Sequence, residues 1–128
     1  MRIMVVDDEK IVRMSLRFLL ESIGLECEVF EDGTFALDAF RDSPGRFDAI
    51  ITDLAMPVMR GTELYERVRA IDPSIPVLIL SGLLDDERVE RFQRDGVIRM
   101  LAKPALLDEI VAALKSQGLD LDHETVAA

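Results

Sequence analysis

Ala49-Ile50-Ile51-Thr52-Asp53-Leu54-Ala55-Met56-Pro57 is the stretch that decides the fold. A short β-branched run stops at a carboxylate and gives way to a loop that reaches Gly61. That is how a buried parallel strand reads when its carboxyl end emerges at a ligand crevice. Three further pieces have the same form: Val5-Val6-Asp7-Asp8-Glu9, Leu78-Ile79-Leu80-Ser81-Gly82 and Met100-Leu101-Ala102-Lys103-Pro104. Side by side, such strands bring Asp7, Asp8, Asp53, Ser81 and Lys103 to one crevice.

Strand-like runs and helical patterns alternate five times, which predicts an α/β fold, a five-stranded parallel sheet covered by five helices. The expected strands are Arg2–Val6, Glu26–Phe30, Ala49–Thr52, Val77–Leu80 and Val97–Leu101. In the first helix Ile11, Met14, Phe18 and Leu19 recur at helical spacing, with Gly24 as the stop. The second begins near Thr34, buries Ala36, Ala39 and Phe40, and ends at Ser43-Pro44-Gly45. The third carries Leu64, Val68 and Ile71; the fifth carries Leu106, Ile110 and Leu114 and stops at Gly118. The fourth, over 85–95, has only Val89 and Phe92 as an apolar face, so weak packing is expected. Residues 1–117 read as one domain, and 118–128 as a frayed tail or the start of a linker.

At 128 residues the chain can bury a core without staples, and 49% hydrophobic residues argue for a packed globule. With no Trp, that core must be mostly aliphatic and methionine. A net charge of −10 disfavours direct nucleic-acid binding and makes divalent cations or basic protein surfaces the natural partners. Cys27 is the single cysteine, so no intrachain disulfide can form; a small half-buried thiol in a strand is expected. The chain opens on strand-like sequence with no signal segment and has no run of membrane-spanning length, so a soluble cytoplasmic protein is expected.

The strand-end residues define a chemistry. Unit charges about 4 Å apart repel by ~4 kcal/mol at an effective dielectric of about 20, so three converging carboxylates call for a cation. Oxygen-only ligands with room for water suit Mg²⁺, or Mn²⁺, better than zinc. A carboxylate can form an aspartyl-phosphate when a metal and a cation neutralise the phosphoryl oxygens. Asp53 is the candidate nucleophile, Lys103 the cation and Ser81 a hydroxyl donor. Taken singly, each has a plainer reading as a strand-end acid, a surface lysine or a helix-capping serine.

Taken in order, Asp7-Asp8, Asp53-x-x-Met56-Pro57, Ser81-Gly82 and Lys103-Pro104, with Met59-Arg60-Gly61, resemble the receiver domain of two-component response regulators over residues 2 to 117. The resemblance implies a doubly wound, flavodoxin-like sheet of order 2-1-3-4-5. It also implies a phosphoacceptor at Asp53, and Mg²⁺ bound by Asp8, Asp53 and the Ala55 backbone carbonyl, with Asp7 acting largely through water. Ser81 and Lys103 then contact the phosphoryl group, and Lys103-Pro104 is a cis peptide. Ser81 and Met100 take the switch positions, and the surface of the fourth helix, fifth strand and fifth helix carries the output. Such a domain is a signalling module that catalyses only its own phosphorylation and dephosphorylation. The implied partners are a histidine kinase or histidine phosphotransfer protein and a downstream protein or output domain, with a phosphorylation-linked dimer as a further option. Three departures stand out: Ser81 replaces the commoner Thr, Met100 sits where an aromatic is frequent, and Ala55 and Leu83 are apolar where many members are polar.

Two other classes use related parts. A haloacid dehalogenase-type phosphatase places Asp-x-Asp after its first strand, a spacing that Asp7-Asp8-Glu9 lacks, and no cap domain fits this length. A flavodoxin-type FMN module needs a Ser/Thr/Gly-rich phosphate loop where this chain has three acids that repel an anion. A purely structural interaction module leaves the convergence of acids and lysine unexplained.

Overall fold

The computed structural model describes residues 1–82 and 99–121. Five parallel strands, β1 (Arg2–Val6), β2 (Glu26–Phe30), β3 (Ala49–Asp53), β4 (Val77–Ser81) and β5 (Arg99–Ala102), form one sheet in the order β2-β1-β3-β4-β5. The described helices are α1 (Lys10–Ser22), α2 (Gly33–Asp42), α3 (Gly61–Ile71) and α4 (Leu107–Ser116), with a 3-10 turn at Pro44–Arg46. The helix expected over 85–95, the start of the fifth strand at Val97, Leu83 and the tail from 122 lie outside the described residues.

Residues 3–6 of β1, 49–51 of β3 and 77–80 of β4 are apolar throughout because both faces of the sheet are covered. Met4, Val6, Ile50 and Ile79 pack with Phe40 of α2 and Leu64 and Val68 of α3. On the other face Ile3, Val5, Ile51 and Leu78 pack with Leu16 and Leu20 of α1 and Ile110 and Leu114 of α4. β3 and β4 each run one residue past the expected end, because Asp53 pairs with Leu80 and Ser81 with Ala102. The polar residues therefore sit on rigid strand ends, where their backbones are fixed by the ladder.

The expected face of α1 is not the buried one. Ile11, Met14 and Phe18 are 78%, 60% and 74% exposed and Leu19 is half-buried, while Leu16 and Leu20 are buried in the core with Val12 packed against it. At 100° per residue these are two separate stripes on one helix, and periodicity alone cannot choose between them. In α3, Tyr65 joins Leu64 and Val68 inside, and Ile71 is exposed at the last turn. In α2, Leu37 is buried beside Ala36 and Phe40, and Ala39 only partly. Leu106 is exposed because it precedes α4 as its N-cap, where Glu109 accepts a hydrogen bond from its N–H at 3.0 Å. Cys27 is buried, and burial pushes its thiol up to about 11, which keeps it protonated and inert near neutrality.

The first residues of the expected tail are not frayed. Leu119 and Leu121 are buried in the α1/α4 core. Gln117 fixes their starting point: its side-chain oxygen accepts from the Val77 N–H at 3.0 Å and its amide donates to the Val77 carbonyl at 2.7 Å. The amide thus imitates a strand neighbour at the entry to β4. No described helix is long and apolar enough to cross a membrane.

Candidate functional site

Adjacent β1 and β3 deliver three carboxylates to one end of the sheet. Asp7 follows β1, its N–H donating to the Phe30 carbonyl at 3.1 Å. Its side chain is buried, and one oxygen accepts from the Glu9 N–H at 2.8 Å. Asp8 beside it is exposed, and Asp53 at the end of β3 is buried. One carboxylate oxygen from each of Asp7, Asp8 and Asp53 lies within 4.8 Å of the others. The Lys103 ammonium reaches the group from the end of β5, donating to Asp7 Oδ2 at 2.9 Å and pairing with Asp53 Oδ1 at 3.2 Å. Its backbone is set by the bond from Lys103 N–H to the Ser81 carbonyl at 2.9 Å, and the Lys103-Pro104 peptide is cis.

Charge balance shapes this corner. Burial raises the Asp53 carboxyl above the usual 3.8; Asp7 raises it further, Lys103 acts against the rise, and Asp8 adds a smaller push. Burial by itself would lower the Lys103 ammonium, but its bonds to Asp7 and Asp53 outweigh that and leave it raised above 10.5. Three carboxylates against one ammonium leave a formal charge of −2. Hard oxygen donors with that residual charge suit an oxygen-loving divalent cation such as Mg²⁺ better than zinc.

The loop after β3 is held as tightly as the strand end. Leu54 N–H donates to the Leu80 carbonyl at 2.9 Å, and Gly61 N–H returns to the Leu54 carbonyl at 2.9 Å. A Cβ at Gly61 would sit 2.3 Å from the Asp53 carbonyl oxygen, so only glycine lets α3 start this close. Between them Met59 N–H donates to the Pro57 carbonyl at 2.8 Å, closing a three-residue turn around Val58 with φ 72°. A positive φ at a β-branched residue is strained, and the strain sits beside the site. Thr52, fully buried, donates from its hydroxyl to the Asp53 carbonyl at 3.0 Å.

An open pocket of about 340 Å³ lies over the carboxylates. Asp8, Asp53, Ala55, Ser81 and Lys103 all line it, so the structure brings five of the expected residues to one cavity, with buried Asp7 beneath. Met100 is not in the lining; it is buried in the core next to Ile79 on β4. Glu9 and Arg60 also line the pocket, and the sequence reading gave neither a role. Their signal was positional: one follows the Asp7-Asp8 pair and the other precedes the glycine that opens α3.

The comparisons with known proteins agree with this geometry. The family model described as "Response regulator receiver domain" matches residues 3–115. A response regulator receiver protein of Anaeromyxobacter sp. (strain Fw109-5) is 34% identical over 110 residues, covering 86% of this chain and 45% of that protein. The transcriptional regulatory protein FixJ of Bradyrhizobium diazoefficiens is 35% identical over 115 residues, covering 89% and 55%. The chain therefore spans about half the length of these curated relatives. Among solved structures, a response regulator receiver domain protein from Clostridium thermocellum superposes with a TM-score of 0.82 at 28% identity, covering 91% of this chain and 92% of that one. With the strand order, the acidic corner and the family model in agreement, the chain belongs to the response regulator receiver domains, the phosphorylatable signalling modules of two-component systems.

Proposed function

We propose that this domain accepts a phosphoryl group on Asp53 from a histidine kinase or a histidine phosphotransfer protein, in a reaction that depends on Mg²⁺ or Mn²⁺. The observation that carries the reading is the convergence of Asp7, Asp8 and Asp53 within 4.8 Å, with the Lys103 ammonium on two of them. Asp8, Asp53 and the Ala55 carbonyl would hold the metal directly, and Asp7 would act through water. When bound, the metal supplies the positive charge that lets an anionic phosphoryl group approach an anionic nucleophile. An Asp53 oxygen attacks phosphorus, the bond from phosphorus to the donor's imidazole nitrogen breaks, and the electron pair stays on that nitrogen. Lys103 then turns part of its charge from the Asp53 carboxylate to the phosphoryl oxygens, and the Ser81 hydroxyl supplies a second donor.

A protein donor has to seat beside the pocket. Glu9, in the pocket lining, is the N-cap of α1, and the outer stripe of that helix exposes Ile11, Met14 and Phe18. An exposed apolar stripe adjoining the reacting group suits the helix of a phosphodonor protein. The signal leaves through Ser81 and Met100 toward the segment 82–100 and α4, which pairs the chain with a protein target or with an output domain outside it. Direct contact of this domain with nucleic acid is not part of the reading, given its charge of −10.

Mixing the protein with Mg²⁺ and a small phosphodonor tests the proposal. Expected is a mass increase of one phosphoryl group, labile as an acyl-phosphate and absent from Asp53→Asn. Undiminished labelling of Asp53→Asn, or none in the unsubstituted protein, overturns it.

A further inference from the structure

Two cations line the pocket over the carboxylates, and they are not equivalent. The Lys103 ammonium is committed to Asp7 and Asp53 at 2.9 and 3.2 Å. Arg60 is exposed and pairs with no carboxylate among the described residues, although Asp8 and Glu9 line the same pocket. Its backbone is pinned. Gly61 next to it is locked to the Leu54 carbonyl at 2.9 Å, the Arg60 carbonyl accepts from the Leu64 N–H at 3.0 Å, and the glycine leaves no space for a Cβ against Asp53. A rigid base therefore holds a long cationic arm at the pocket wall, with no anionic partner among the described residues.

We propose that Arg60 is a specificity residue of the phosphoryl-transfer site: it captures the phosphoryl dianion of the incoming donor and holds its solvent-facing oxygens while Asp53 attacks. The proposal rests on the Asp53 reading above. A guanidinium suits the role because its planar fork of donors matches phosphate oxygens two at a time and it stays protonated throughout. It gains and loses no proton, so the step balances as already written. Capture matters here because the pocket otherwise presents a surplus of negative charge to an anionic donor.

The test is the second-order rate of labelling by acetyl phosphate in saturating Mg²⁺, measured across ionic strength. A single charge acting on a dianion across the width of a pocket is worth about three- to tenfold in rate at low salt, fading as the screening length shortens. Arg60→Gln should lose that factor at low salt, with the deficit shrinking as salt rises, and Arg60→Lys should recover most of the difference. Stabilisation by Mg²⁺, read by thermal melting, should be at least as large in Arg60→Gln as in the unsubstituted chain, since a cation has been removed from the pocket wall. Equal rates and salt slopes in Arg60→Gln and the unsubstituted protein overturn the proposal while leaving Asp53 in place. Weaker Mg²⁺ stabilisation in Arg60→Gln overturns it as well, because the arginine would then be holding the acidic corner in shape. Absence of labelling in the unsubstituted protein defeats the Asp53 reading and Arg60 with it.

Discussion

Asp53→Asn should make the metal-free protein more stable, and the structure sets the size of the gain. With carboxylate oxygens within 4.8 Å, each full charge pair repels by ~3.5 kcal/mol at an effective dielectric of about 20. Asp8 is exposed, so water reduces its share to about 1 kcal/mol. The Lys103 pair at 3.2 Å returns ~5 kcal/mol of attraction at the same dielectric. The charge terms nearly cancel, and burial of the carboxylate, the largest influence on it, decides the sign. An amide escapes that penalty at almost the same volume, so the expected gain is about 1–2 kcal/mol, or roughly 4–8 °C in melting temperature for a domain of this size. The pH dependence follows from linkage. The folded-state pKa of Asp53 lies above 3.8, so the folded protein binds the extra proton, and stability falls as pH rises from about 3.8 through the raised value. Asp53→Asn removes that fall. Denaturant titrations in EDTA should show a difference that is near zero below pH about 3.8, grows through the window and is flat above it. In excess Mg²⁺ the order should reverse, because the variant lacks a ligand. A metal-free variant less stable than the parent at neutral pH would refute this account of the site's charge balance.

Mg²⁺ at a hundredfold excess over its dissociation constant should stabilise the protein by ~2.7 kcal/mol, and Asp8→Ala should erase most of that shift in a thermal melt. Val58→Gly should raise stability by about 1 kcal/mol in denaturant titrations, since glycine adopts φ 72° without strain; a loss would mean that the exposed side chain contributes more than the backbone costs. Leu121→Ala should cost about 2–3 kcal/mol, whereas a boundary at residue 117 predicts almost no effect. Ala55→Asn should shorten the lifetime of the acyl-phosphate, followed by mass spectrometry, because an amide at the pocket wall can hold a water that the methyl cannot; an unchanged decay rate would exclude that role.

Strand ends were legible to within a residue because both faces of a parallel sheet demand apolar side chains and polar residues mark where the strands stop. β1 and β2 lie at the expected bounds, and β3 and β4 overran theirs only by the polar residue itself. Helix faces were less legible for a physical reason. Two apolar stripes on α1 satisfy the same periodicity, and what selects Leu16 and Leu20 is the sheet beneath them. Leu106 failed as a core residue because the chain turns there to cap α4. Leu119 and Leu121 have too short a pattern to announce themselves, and their burial depends on Gln117 reaching the backbone of Val77 across forty positions of sequence.

The acidic corner was more legible than the helices that support it, and the reason lies in the register. Ile3 to Val6 pair with Ala49 to Thr52, so the residues just past each run, Asp7 and Asp53, meet at one level of the sheet. Asp53 pairs with Leu80 and Leu80 with Leu101, so Ser81 emerges one residue and Lys103 two residues beyond that level, close enough for the long lysine stem to reach both carboxylates. A shared boundary between apolar and polar therefore becomes a shared place in space, with no tertiary information beyond the strand order. Side chains that reach the corner from loops have no such rule. Arg60 arrives there because Gly61 allows α3 to begin against the Asp53 carbonyl, a close approach that one glycine in a sequence does not reveal. Lys103 divides itself between Asp7 and Asp53, and the sequence could name the lysine but not that division. It follows that the acceptor should be the most robust part of this site to substitution of the surrounding helices, and the capture of its substrate the most sensitive to the loop that precedes α3.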